Sequence, residues 1–189
     1  VGMTGPLGFN NTYALGMRAD RADSLGIETI GDLRAHPNLQ FGFTNAFMDR
    51  ADGWPSLKRA YDLPQTARGV DHDIAYRGLA SGQLDVIDLY STDAEIERQD
   101  LRVLRDTKNH FPRYEALFLY RRDLTTRAPA AIRALKHLEG QIPADTMQAL
   151  NARSKIDQRD EGTVAADFVN QSLGLDATAE TDSRWERLR

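Results

Sequence analysis

LDVIDLYSTD, Leu84 to Asp93, reads as a short buried strand that ends on a tyrosine and opens into a polar turn. Val86 and Ile87 put a β-branched pair at its centre, with Asp85 and Asp88 on either side, and its length suits a strand inside a sheet. Tyr90 stands where the strand emerges. Ser91, Thr92 and Asp93 behind it are helix-capping residue types. Open α/β sheets bind ligands at their strand ends, so Tyr90 is the first candidate for a site. The competing reading is a half-buried core tyrosine, since intermediate burial is ordinary for this residue.

Working outward, Asp71 to Ser81 reads as a helix with Ile74, Ala75, Gly78 and Leu79 on one stripe and Gly82 at its end. Trp54 to Leu63 reads as another, with Pro55 in its first turn. Leu39 to Thr44 and Phe9 to Met17 read as strands, and Asp49 to Gly53 as a turn. Asp20 to Leu25 is a helical turn closed by Gly26, and Thr29 caps a segment from Ile30 to His36 that Pro37 stops. Downstream come a helical turn at Ala94 to Gln99, a strand at Leu101 to Leu104 and a strand at Tyr114 to Arg121. From Pro129 the pattern is helical only, over residues 129–138, 143–153 and 160–173, and residues 174–189 read as a frayed polar tail. Strand–helix alternation predicts an α/β fold, a mostly parallel sheet with flanking helices. The helices after it have no strands of their own to cover.

The chain has 189 residues, 41% hydrophobic and 28% charged, a globular composition long enough for one domain or for one and a fragment. A net charge of −4 argues against a nucleic-acid surface. The absence of cysteine excludes a disulfide framework and a thiolate zinc site, and it fits an exported bacterial protein. His36, His72, His110 and His137 show no metal-ligand spacing, and no GxSxG or P-loop occurs, so no metal, cofactor or enzymatic activity is expected. No apolar run is long enough to span a membrane. VGMTGPLG begins on Val1 and is neither a signal peptide nor a capped element, so the chain is expected to be a piece or processed form of a longer product.

GFNNTYAL (8–15), GFTNAFMDRADGWPSLKRAYDL (42–63), YRGLASGQLDVIDLYSTDAEI (76–96) and DLRVLRDTKNHFPRYEALFLYRRDL (100–124) together resemble one family. It is the glycine betaine/choline/carnitine substrate-binding proteins of osmoprotectant ABC importers. The likeness runs from Phe9 to about Leu173. It rests on NNTYA, R-x-DG, D-x-YSTDA and FP-x-Y occurring in that order. The resemblance implies a periplasmic-binding-protein type II-like lobe over residues 9–112. Residues 113–173 would be a crossover strand and helices returning to a first lobe, whose N-terminal half lies outside this sequence. Expected partners are a quaternary ammonium small molecule, an ABC permease subunit and that missing half-lobe. Expected location is extracytoplasmic, free, lipid-anchored or fused to the permease.

A quaternary ammonium ion has no hydrogen to donate, so a protein holds it by dispersion and by the negative faces of aromatic rings. By resemblance, Tyr13, Tyr90 and Tyr114 are the box residues. Arg50 is the candidate for a ligand carboxylate, which a guanidinium can grip with two parallel bonds. Read without the resemblance, Arg50 is a surface arginine paired with Asp49 or Asp52. Asn11, two residues before Tyr13 on the same strand face, is either a ligand contact or a strand-edge polar residue. Thr92 and Asp93 read as caps, Trp54 as helix packing, and Tyr61, Tyr76 and Tyr120 as core. Arg113, where relatives often carry proline, would repel a cation unless it points to solvent. Ala51 replaces a common acidic residue. The rival reading is an effector domain of a transcription regulator with the same two-lobed fold. Self-association over surface left by the missing half-lobe is a further expectation, as is weak ligand affinity of the chain alone.

Overall fold

The computed structural model describes residues 1–178; the expected polar tail lies outside them from residue 179 onward. The centre is β5 (Val86–Tyr90), the strand read first from the sequence. It lies between β3 (Phe41–Thr44) and β2 (Tyr13–Arg18), with β4 (Ala67–Val70) and β6 (Leu101–Val103) at the edges. β3 pairs in parallel with β4 and β5, while β2 is antiparallel to both β5 and β6. Four strands therefore share one direction and β2 alone is reversed, so the α/β sheet is mixed, with two parallel and two antiparallel ladders.

Period-two alternation builds both layers. Tyr13, Leu15 and Met17 of β2, Phe41 and Phe43 of β3 and Val86 of β5 face one way. They are covered by α1 (Ala19–Leu25), a 3₁₀ helix (Ile30–Ala35), α2 (Asn45–Asp49) and α3 (Trp54–Tyr61). Trp54 packs its ring on Phe43 at 5.0 Å, as helix packing rather than a site wall. Ala14, Ile87 and Leu89 face the other way, under α4 (His72–Ala80) and α5 (Glu95–Arg98). Each fully buried large apolar side chain contributes about 1.5–3 kcal/mol. Leu84 seats α4 on the sheet: a Cβ at Gly42 would meet it at 2.5 Å and one at Gly78 at 2.7 Å, so a side chain at either position would displace Leu84.

Several boundaries differ from the sequence reading, each for a local reason. The strand expected from Phe9 begins at Tyr13, because residues before it pair elsewhere. Asn11 N–H donates to Tyr114 O and Ala116 N–H to Phe9 O, so two crossing segments run side by side. That ladder continues to β1 (Gly2–Met3), which pairs with β7 (Leu119–Tyr120). The VGMTGPLG segment, which reads as no element, is one side of it. The strand expected over Tyr114 to Arg121 shrinks to β7, and the residues before it are held by separate bonds to the segment from Thr4 to Asn11. β4 and α2, four and five residues long, are too short to show a period; α2 forms because Thr44 Oγ1 accepts from Phe47 N–H. Ile74, expected on the buried stripe of α4, is exposed, and Tyr76 takes its place in the core.

The C-terminal part is helical as expected: α6 (Leu124–Arg127), α7 (Pro129–His137), α8 (Ala144–Lys155) and α9 (Glu161–Leu173). Pro129 starts α7, Asp160 caps α9 and Gly174 ends it in the left-handed region. Only Ile132, Val164 and Phe168 are buried among the residues of these helices. Tyr120, expected in the core, is half-buried against Gly2. Met3, Leu117 and Leu119 are exposed on the β1–β7 side.

Candidate ligand-binding site

Tyr13 opens β2 and Tyr90 closes β5, and the antiparallel register places them opposite each other. Their rings lie 4.6 Å apart at 36°, and the Tyr90 hydroxyl donates to the Tyr13 hydroxyl at 2.8 Å. Phe47 of α2 backs the Tyr13 ring at 5.2 Å. Burial, then the bond from Tyr90, pushes the Tyr13 phenol upward, so it is neutral at any physiological pH.

Tyr114 arrives from the second crossing segment. Its N–H donates to Asn10 Oδ1 at 2.5 Å, and its carbonyl accepts from Asn11 N–H. Arg50 follows α2. Its Nε and Nη2 donate to the two carboxylate oxygens of Asp52 at 2.8 and 3.0 Å, and Nη2 also reaches the Tyr114 hydroxyl at 3.3 Å. The guanidinium carbon lies 5.0 Å from the Tyr13 ring centre. Arg50 is thus paired with Asp52, one of its two sequence readings, and stands beside the tyrosines. Asn11 Oδ1 accepts from Thr92 Oγ1 at 3.0 Å.

Tyr13, Tyr90, Tyr114, Arg50 and Asn11 line one hollow of about 410 Å³, together with Phe9 and Ala116. The sequence reading missed the last two, though its own period-two rule points to both. Phe9, Asn11 and Tyr13 alternate along one segment, and Tyr114 and Ala116 along the other. The hollow is a wall of phenol faces with one guanidinium at its edge.

Several expected roles change. Ser91, Thr92 and Asp93 do not cap α5, whose N-cap is Ala94 without a side-chain bond. Ser91 Oγ donates to Asn10 O and accepts from Thr12 N–H, while Thr92 binds Asn11. Asp93 Oδ2 accepts from Tyr90 N–H at 2.9 Å and from the Tyr76 hydroxyl at 2.7 Å. The turn thereby ties the end of β5 to the segment before β2. Burial, then the nearby Asp93 charge, pushes the Tyr76 phenol strongly upward. His72, the first residue of α4, is half-buried, with its ring edge-on to Tyr76 at 5.1 Å.

Asp88, two residues before Tyr90, is 1% exposed and accepts from Thr44 N–H and Thr44 Oγ1, each at 2.6 Å. Thr44 also caps α2, so Asp88 sets the helix that delivers Arg50 relative to the strand that delivers Tyr90. Arg113 is exposed and paired with Glu115, pointing to solvent. Ala51 is exposed beside Arg50.

A family model described as the substrate binding domain of ABC-type glycine betaine transport systems matches residues 1–171. An ergothioneine transport permease/ergothioneine binding protein of Helicobacter pylori (strain G27) is 35% identical over 173 residues, 90% of this chain and 31% of that protein. A glycine-betaine-binding protein of Pseudomonas aeruginosa is 34% identical over 184 residues, 90% of this chain and 59% of that protein. A crystal structure described as a glycine betaine/carnitine/choline ABC transporter superposes with a TM-score of 0.84 at 32% identity, over 89% of this chain and 63% of the other. The chain spans less than two thirds of each of these relatives.

Proposed function

The chain belongs to the family of substrate-binding domains of ABC-type glycine betaine transport systems and has the fold of the type II periplasmic binding proteins, and from that premise we propose that it supplies one wall of a receptor for quaternary ammonium compounds. The observation that carries this is the convergence of Tyr13, Tyr90, Tyr114 and Arg50, from four separate segments, on one hollow. Rings at that spacing offer faces to a methylated cation, each worth about 0.5–2 kcal/mol when desolvated. Arg50 offers a partner for a carboxylate, so the favoured ligands are zwitterions such as glycine betaine or carnitine, with choline retaining only the ring contacts. Ergothioneine, the named ligand of the H. pylori relative, belongs to the same test set.

On this reading residues 9–112 are the second lobe, residues 113–173 are part of the first, and a further segment completes the first lobe. The coverage of relatives supports it, as do the sparse burial in α7–α9 and the exposed Met3 and Leu119. Ligand would close the two lobes, and the closed form would dock on a permease outside the cytoplasm. Among the described residues no helix is long and apolar enough to cross a membrane. Members of the family are transport binding proteins, which gives the regulator reading no support.

Calorimetry with glycine betaine, carnitine, choline and ergothioneine tests the proposal, on this chain and on the polypeptide that carries both lobes. Binding by the two-lobed protein and weak binding by the chain alone are expected. Failure of the two-lobed protein to bind any of the four overturns the ligand class. Sedimentation at rising concentration tests whether the chain alone covers its exposed apolar surface by self-association.

A further inference from the structure

We propose that Asp52 determines which quaternary ammonium compounds the site accepts, by fixing Arg50 and cancelling its charge, an inference that rests on the reading of the hollow as a quaternary ammonium site. Arg50 is the one side chain lining the hollow that carries a full charge at neutral pH. Its guanidinium lies over the same Tyr13 ring that a ligand cation would use. Unpaired, its charge would repel that cation.

Asp52 prevents this with a two-point grip on Nε and Nη2. The bond from Arg50 holds the Asp52 carboxyl below the usual carboxylate range, so the pair stays ionised together. The Arg50–Asp52 turn is itself locked. Gly53 N–H donates to Arg50 O, His110 Nε2 lies 3.0 Å from Asp52 O, and a Cβ at Gly53 would strike the Phe47 carbonyl. The backbone that carries Asp52 is therefore fixed against the end of α2.

A guanidinium has five N–H groups. Two of Arg50's go to Asp52 and one to Tyr114, which leaves the pair on Nη1 for a ligand carboxylate. The arrangement thus tolerates a cation without a carboxylate and still recognises one that has it. Removing the Asp52 charge upsets this balance in one direction. Choline meets an uncompensated cation, while glycine betaine regains through its carboxylate what its ammonium group loses.

Choline and glycine betaine are titrated calorimetrically into the two-lobed protein as wild type, Asp52→Asn and Asp52→Asn/Arg50→Gln. In Asp52→Asn the ratio of the choline Kd to the betaine Kd is expected to rise about tenfold, the effect of one partly screened charge a few ångströms away. In the double variant the lost choline affinity returns, which a merely structural role would not produce. An unchanged ratio in Asp52→Asn, or a double variant as weak for choline as the single one, overturns the role of Asp52 alone. A wild type that binds neither compound overturns the reading of the site and this inference with it.

Discussion

Tyr13 and Tyr90 face each other at one register position of the β2–β5 ladder, joined hydroxyl to hydroxyl, yet Tyr13 is 7% exposed and Tyr90 36%. The two phenols therefore divide their work. Tyr13 is part of the core, packed on Phe47, and shows the hollow one face. Tyr90 is held by its backbone, through Asp93, and spends its ring on the hollow.

Substitution should separate the two. Tyr90→Ala is expected to lower ligand affinity about tenfold and to move the unfolding midpoint little. Tyr13→Ala is expected to cost about 3–5 kcal/mol of stability, as for other large buried rings. Tyr13→Phe keeps the ring and loses only the hydroxyl pair, so affinity should survive. Calorimetry beside urea melts reads all three; a Tyr13→Phe variant that no longer binds would show that the hydroxyl, not the ring face, matters.

Asp88 should impose a pH dependence on stability. Burial pushes its carboxyl above the ordinary range, and the bonds from Thr44 only partly offset this. A carboxyl raised on folding favours the folded state below its unfolded pKa of about 4, and that contribution is lost as pH rises through the folded value. Asp88→Asn keeps an acceptor for Thr44 N–H and carries no charge. Its stability relative to wild type should therefore rise from about pH 4 to about pH 8 in urea melts, whereas Asp88→Ala should be destabilised by about 1–3 kcal/mol at both ends, because Thr44 loses its acceptor. A flat wild-type-minus-Asn difference would mean that burial does not penalise the Asp88 charge.

Arg113 should be silent. It points to solvent in an exposed pair with Glu115, a geometry worth about 0–1 kcal/mol. Arg113→Ala should leave both the melting temperature and betaine affinity near wild type. A large gain in affinity would place its charge close to the bound cation after all.

The sheet was legible because alternation fixes faces. In β5, Val86, Asp88 and Tyr90 must share a side, and in β2 so must Tyr13, Leu15 and Met17. The five proposed site residues came together in one hollow, yet Phe9 and Ala116 were overlooked, having no chemistry of their own to draw notice. Thr92 and Asp93 were misread because a cap and a tie between distant segments use the same side chains. Only the position of Asn11 and Tyr76 decides between them. β4 could not be read from ARGV, an edge strand with little buried surface. The role of Asp88 was hidden because a buried acid looks like a solvent-facing one until its partner, 44 residues away, is known.

The turn after Tyr90 is also held from the C-terminal side. In α8, Gln148 Nε2 donates to Ser91 O and Asn151 Nδ2 to Thr92 O, both at 2.8 Å, while Lys155 pairs with Glu95 at 2.6 Å. α8 has no fully buried residue, so these polar bonds carry much of its attachment. Asn151→Ala should cost about 1 kcal/mol and loosen α8 without disturbing the sheet. Hydrogen exchange should then show faster exchange across Ala144–Lys155 and in the 91–95 turn, with β2 and β5 still protected. Because the same turn sets the backbone of Tyr90, ligand affinity should fall modestly in step. Unchanged exchange in α8 would mean that its apolar contacts, not these amides, keep it in place.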